Sequence, residues 1–141
     1  MRFILRRKMK SSHESYLPIL RSASLANSDT LEGGLIDCRN LTAISITGRA
    51  KFNASGTGNL TVSLYYSPDG KNFDSTAFST LTITCSAGNN VQASKIVSVP
   101  DTGYIKISIA NADATYSASD VALWASVIYQ FLEDRQTQAS T

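Results

Sequence analysis

The sequence predicts an all-β domain, an antiparallel β-sandwich or jelly roll with an extended N-terminal arm. Three observations predict it. Apolar residues recur with period two in one short segment after another between Leu41 and about Leu132, as half-buried strands require. Clusters of Pro, Gly, Asn and Asp separate these segments, and none has the length and period of a helix. Ser and Thr make up close to a quarter of the chain, while charged residues supply 17%, below the usual share of about 25%. Thr suits a pleated surface and Ser suits turns. At 141 residues the chain has the length of one domain, and such a domain buries a sufficient core without disulfide or metal staples.

The elements follow in order. Residues 1–10, MRFILRRKMK, carry Arg2, Arg6, Arg7, Lys8 and Lys10 and no acid, so a net charge of +2 divides into +5 on this segment and −3 on the rest. Separated charge of this kind suits a partner with an anionic surface. Residues 11–34 hold one apolar knot, Tyr16-Leu17-Pro18-Ile19-Leu20. Pro18 opposes a helix through it, so the knot is expected to be an extended peptide that docks on its own body or on a neighbour's. Gly33-Gly34 reads as the hinge that opens the folded body. The expected division is an arm over 1–34, a sandwich over 35–133 and a tail over 134–141.

Within the body, residues 42–52 place Ile44, Ile46, Gly48, Ala50 and Phe52 on one face. Residues 53–59 form a Gly/Asn loop. Leu60, Val62, Leu64 and Tyr66 then alternate with Thr61, Ser63 and Tyr65. Ser67-Pro68-Asp69-Gly70 has turn composition, as does Pro100-Asp101-Thr102-Gly103. Strands are expected over 80–85, 91–99 and 104–110, the last with Ile105, Ile107 and Ile109 inward. The longest run, 120–132, points Val121, Leu123, Ala125, Val127, Tyr129 and Phe131 to the core. Its other face holds Trp124, Ile128 and Leu132, too apolar a set for open solvent. Three covers are conceivable: the N-terminal segment, another subunit, or burial of both faces within one sandwich. Six or seven strands result.

Catalytic candidates are few. The single histidine, His13, sits in the arm, where nothing holds a general base in place. Zinc needs several His or Cys ligands at close spacing, and Cys38 and Cys85 stand apart, expected as free thiols with one disulfide as the alternative. No dinucleotide, Walker or nucleophile-elbow pattern appears. Asp69, Asp74, Asp101, Asp113 and Asp120 fall in or next to loops, and Asp69-Gly70-Lys71-Asn72-Phe73-Asp74 departs from the order of a calcium loop, so turn chemistry is expected. No cofactor is expected, nor enzymatic activity. The sequons at Asn40, Asn53 and Asn59 read as chance in a Ser/Thr-rich chain. Phe3-Ile4-Leu5 is too short for a signal peptide's apolar core, and no run reaches the roughly 18 apolar residues of a membrane span. Tyr65 and Tyr104 lie on the polar sides of their strands, which keeps a carbohydrate-binding module as the alternative. Nucleic-acid contact, if made, would be weak, unspecific and confined to the arm.

One resemblance adds to this reading. Leu35-Ile36-Asp37, Leu41–Gly48, Leu60–Phe73 with its Ser67-Pro68-Asp69-Gly70-Lys71-Asn72-Phe73 turn, and Asp101-Thr102-Gly103-Tyr104-Ile105-Lys106-Ile107 resemble the strand-and-turn pattern of small phage virion proteins. The match covers about residues 35–110. It implies a structural protein located in the virion, a capsid decoration (cement) protein or a tail or filament subunit, and it supplies no active-site residues. The sequence therefore leads to an oligomer or a capsid or tail lattice. The arm would tie neighbours through Arg2, Arg6, Arg7, Lys8, Lys10, Tyr16, Leu17, Ile19 and Leu20. The last strand would pack on a partner through Trp124, Ile128 and Leu132.

Overall fold

A computed structural model of the chain describes residues 9–99 and 102–130. Eight strands run in order: β1 (Met9–Leu25), β2 (Thr30–Asp37), β3 (Leu41–Lys51), β4 (Leu60–Ser67), β5 (Ser79–Ile83), β6 (Asn90–Ser98), β7 (Tyr104–Asn111) and β8 (Ala118–Gln130). They form two antiparallel four-stranded sheets, β1-β8-β3-β6 and β2-β7-β4-β5. Every connection except β4–β5 crosses from one sheet to the other. The all-β sandwich expected from the alternation is therefore the observed fold, with jelly-roll-like crossing.

Alternation in the sequence becomes burial in the sandwich. Ile44 and Ile46 of β3, Leu60 and Val62 of β4, Ile105, Ile107 and Ile109 of β7, and Val121, Leu123 and Ala125 of β8 are all fully buried between the sheets. Each fully buried Leu, Ile or Val contributes about 1.5–3 kcal/mol of transfer free energy. Gly48 of β3 faces inward among them. A Cβ there would stand 2.7 Å from Ile83 Cδ1 and 3.2 Å from Leu123 Cδ2, so the missing side chain makes room for both neighbours.

The N-terminal segment differs from expectation. Residues 9–25 and 30–37 are not outside the sandwich; they are an edge strand in each sheet, and Leu25 and Ile36 belong to the core. Gly33-Gly34 is no hinge but part of β2, where the register on β7 shifts between Glu32 and Gly34 and Gly34 adopts φ +146°. Two strands beyond the six with clear alternation result. Bulges hide the period: β1 changes register on β8 four times, and each added residue flips the faces of those that follow.

The connections sort to two ends. Residues 26–29, 52–59, 84–89 and 112–117 gather at one end; residues 38–40, 68–78, 99 and 102–103 lie at the other. Met9 pairs with Gln130 at that second end.

Candidate interaction surfaces

The outer face of β1-β8-β3-β6 is built by the residues that alternate with the core. Cross-strand register puts Trp124 of β8 opposite Thr47 of β3, and Thr47 opposite Ser94 of β6. Thr47 Oγ1 and Ser94 Oγ share a 2.8 Å hydrogen bond. The Arg49 guanidinium sits 5.7 Å from the centroid of the Trp124 ring, a cation–π contact. Ile128 pairs with Ala43 one end of the row along, and Ile96 of β6 stands 73% exposed beside Ser45. Trp124 and Ile128 are half-buried. Leu132 lies outside the described residues. β1 pairs along the edge of β8, with Pro18 opposite Trp124, so its backbone lies beside this face.

The arm residues separate accordingly. Arg2, Arg6, Arg7 and Lys8 lie outside the described residues. Lys10, Tyr16, Leu17 and Ile19 fall within β1. Leu20 is half-buried and packs against the chain's own core, opposite Leu123. The docking surface expected for the knot is thus, within this chain, the edge of β8.

The outer face of β2-β7-β4-β5 is aromatic and charged. Tyr65 of β4 pairs with Lys106 of β7, which pairs with Leu35 of β2. The Lys106 ammonium lies 5.5 Å from the Tyr65 ring and 5.0 Å from the Phe73 ring, and 3.9 Å from Glu32 Oε2. Arg39 lies 5.7 Å over the Tyr104 ring and forms an ion pair with Asp37. Hydrogen bonds from the Arg39 side chain and backbone hold the Asp37 carboxyl down to about 2. Tyr65, Phe73 and Tyr104 therefore do share one face, but each has a cation against its ring.

Polar chemistry concentrates in the four-loop end. Asp113, 5% exposed, accepts the backbone N–H of Thr57 and Gly58 at Oδ2 (2.8 and 3.0 Å) and of Thr115 and Tyr116 at Oδ1 (2.9 and 2.8 Å). These four bonds hold its carboxyl well below the usual carboxylate range. Asn111, also buried, donates from Nδ2 to the carbonyls of Leu25, Ala26 and Tyr116 and accepts the Asp113 N–H at Oδ1. Three loops are tied to β7 through these two side chains. Asp69 makes a smaller version at the other end, accepting from Ser67 Oγ, Lys71 N, Asn72 N and Asn72 Nδ2. Its oxygens are spoken for by N–H and O–H donors, as turn chemistry predicts.

Among the described residues no group of three or more His, Cys, Asp or Glu stands together, and no helix is long and apolar enough to cross a membrane. Cys38 and Cys85 are free thiols. Burial, aided by the Asp37 charge, pushes the Cys38 thiol up to about 11. The Asn111–Asp113 tie was not singled out from sequence. Its only sequence signal is Asn-Ala-Asp directly after an alternating strand, a pattern many turns share.

No family model and no curated protein matches the chain. Solved structures do. The PBSX exported protein XepA is similar over 85% of this chain and 36% of its own, at 15% identity and a TM-score of 0.53. The VP2 subviral particle of infectious bursal disease virus is similar over 88% of this chain and 33% of its own, at 17% identity and a TM-score of 0.50. Tripeptidyl peptidase 2 is similar over 75% of this chain and 9% of its own, at 9% identity and a TM-score of 0.53. The chain thus spans about a third of the first two and less of the last. What is common to all is the fold, and one fold hosts many roles.

Proposed function

We propose that the chain is a structural virion subunit, a capsid decoration protein or a tail or filament component, that works by assembly and not by catalysis. The observation that carries this reading is the outer face of β1-β8-β3-β6, where Trp124, Ile128 and the 73% exposed Ile96 line one rigid surface. A Trp held by Arg49, with Ile96 and Ile128 exposed or half-buried on the same face, is the kind of residue that anchors interfaces. The likeness in fold to a viral particle protein agrees with it. Catalysis is not part of this reading: Asp69 and Asp113 spend their lone pairs on loop N–H donors, so neither is free to act as an acid or base.

Light scattering on the full chain tests the reading. Defined oligomers are expected, and Ile96→Asp with Ile128→Asp should reduce them to monomer while the fold persists. A wild-type chain that stays monomeric at every concentration, alone and with capsids or tails, overturns it.

The carbohydrate alternative has one observation in its favour, the shared face of Tyr65, Phe73 and Tyr104. Sugar rings stack on open aromatic faces, and Lys106 and Arg39 occupy these. Tight binding of a soluble polysaccharide, lost in Tyr65→Ala, would make this the better reading.

A further inference from the structure

We infer that the first half of β1, Met9–Leu20, exchanges between copies of this chain, with the edge of β8 as acceptor and Ser22 as hinge. The inference rests on the assembly reading above and names the segment and surface that would join the copies.

β1 divides into two mechanically different halves. Its downstream end is locked. Leu25 is fully buried, Asn111 Nδ2 donates to the carbonyls of Leu25 and Ala26, and Ser28 N donates to the Asp113 carbonyl at 2.9 Å. Upstream, the ladder to β8 slips between Ser12 and Leu17 and between Pro18 and Leu20; a third shift, Leu20 to Ala23, spans Ser22, and the fourth, Ala23 to Leu25, lies in the locked half. Pro18 has no N–H to give the ladder. At each shift one strand carries residues that the other does not pair, so the ladder is interrupted there.

Between the halves stands Ser22, exposed, with φ +30°. Non-glycine residues meet a steric penalty at positive φ, so the closed path of the chain stores strain here, as it does at Ser28, Asn40 and Asp120. Opening there releases it. The acceptor survives the opening, because β8 remains paired with β3 along its other side and keeps Leu123, Ala125 and Val127 in the core. A second copy's Met9–Leu20 reproduces the same backbone pairs in trans, so exchange needs no surface beyond the one already built. A short strained hinge is the usual setting for such exchange. The segment, drawn out, reaches up to about 40 Å, enough to cross to a neighbour.

The register supplies the test. Ser11 pairs with Ile128. Full-length Ser11→Cys and Ile128→Cys chains, distinguishable by mass tag, are co-expressed and treated with a short thiol–thiol cross-linker. The wild-type chain with Cys38 and Cys85 is the blank, and the Ser11→Cys/Ile128→Cys double variant reports pairing within one chain. A cross-linked heterodimer of the two single variants is expected. Ser22→Gly, in which +30° is nearly free, should lower the heterodimer share about two- to five-fold. Oligomers by light scattering without any heterodimer overturn the exchange and leave assembly standing. Monomers throughout overturn both. A heterodimer share unchanged by Ser22→Gly overturns the hinge.

Discussion

Replacing Gly58 by Ala isolates the tie at the four-loop end. The Gly58 backbone has no positive φ in its favour, so only space decides the outcome. A Cβ at this position would lie 2.4 Å from both the N and the Cα of Asp113 and 2.8 Å from the carbonyl carbon of Ala112. All three are backbone atoms of the loop that follows β7, so no side chain can swing aside. Contacts under 3.0 Å do not persist, and one loop must retreat by about 0.6 Å or more. Taken along the Gly58 N–H to Asp113 Oδ2 bond, now 3.0 Å, that retreat leaves ~3.6 Å, beyond hydrogen-bonding range. Overpacking of this size costs about 1–3 kcal/mol. For a chain of this length it lowers Tm by roughly 3–10 °C.

Gly56→Ala is the matched control. It lies two residues away in the same loop, and its Cβ would meet the Asn53 carbonyl oxygen at 3.2 Å and the Asn53 N and Cys85 Sγ at 3.6 Å. The change in unfolded-chain entropy is the same for both substitutions, about 0.4–1 kcal/mol in favour of Ala. Thermal unfolding followed by circular dichroism should therefore separate the pair, with Gly58→Ala melting several degrees below Gly56→Ala. Coincident melting curves would refute the reasoning, since they would mean the two loops are free to part.

Three further outcomes are expected. Asp113 has its carboxyl held low in the folded chain, so its stabilisation is present above the unfolded value near 3.9 and is lost as pH falls through the folded value. Asp113→Asn should flatten the fall of Tm below about pH 4, and a wild-type acid slope in the variant would count against the assignment. Asn111→Ala strips the carbonyls of Leu25, Ala26 and Tyr116 of their donor; urea unfolding should show a loss of about 2 kcal/mol or more, with early loss of amide protection in residues 25–28. Lys106→Ala uncovers Tyr65 and Phe73 on an exposed face; stability should change by less than about 0.5–1 kcal/mol, and a larger loss in the melting curve would show that the cation anchors the sheet.

How much of this was legible in the sequence depends on where each strand sits. β3, β4, β7 and β8 are interior to their sheets, one face buried and both edges paired. Any register error there would move Ile44, Val62, Ile107 or Leu123 to solvent, so selection of register and alternation in sequence are the same constraint. Those strands could be read residue by residue. β1 and β2 are edges, and their bulges break the period that reading depends on. Gly33-Gly34 and Pro18, read from sequence as signs of a hinge and of an extended peptide docking on its own body or a neighbour's, are residues an edge strand tolerates because one side of it needs no partner. Asp113 was visible only as one more loop aspartate; its four donors come from segments more than fifty residues apart as well as from its own turn.

The same physics links what could not be read to what the protein is proposed to do. The ladder of β1 on β8 is interrupted where its alternation is. β1 combines the irregular ladder and the strained Ser22. The interior strands and the Asn111–Asp113 tie stay intact whichever copy supplies Met9–Leu20. On the proposed reading, stability and connection to neighbours reside in separate parts of the chain, so a subunit would keep its shape while the partner of its first strand is exchanged. For this reason the cross-linking of Ser11→Cys to Ile128→Cys between chains, and not a change in Tm, is the measurement that bears on assembly.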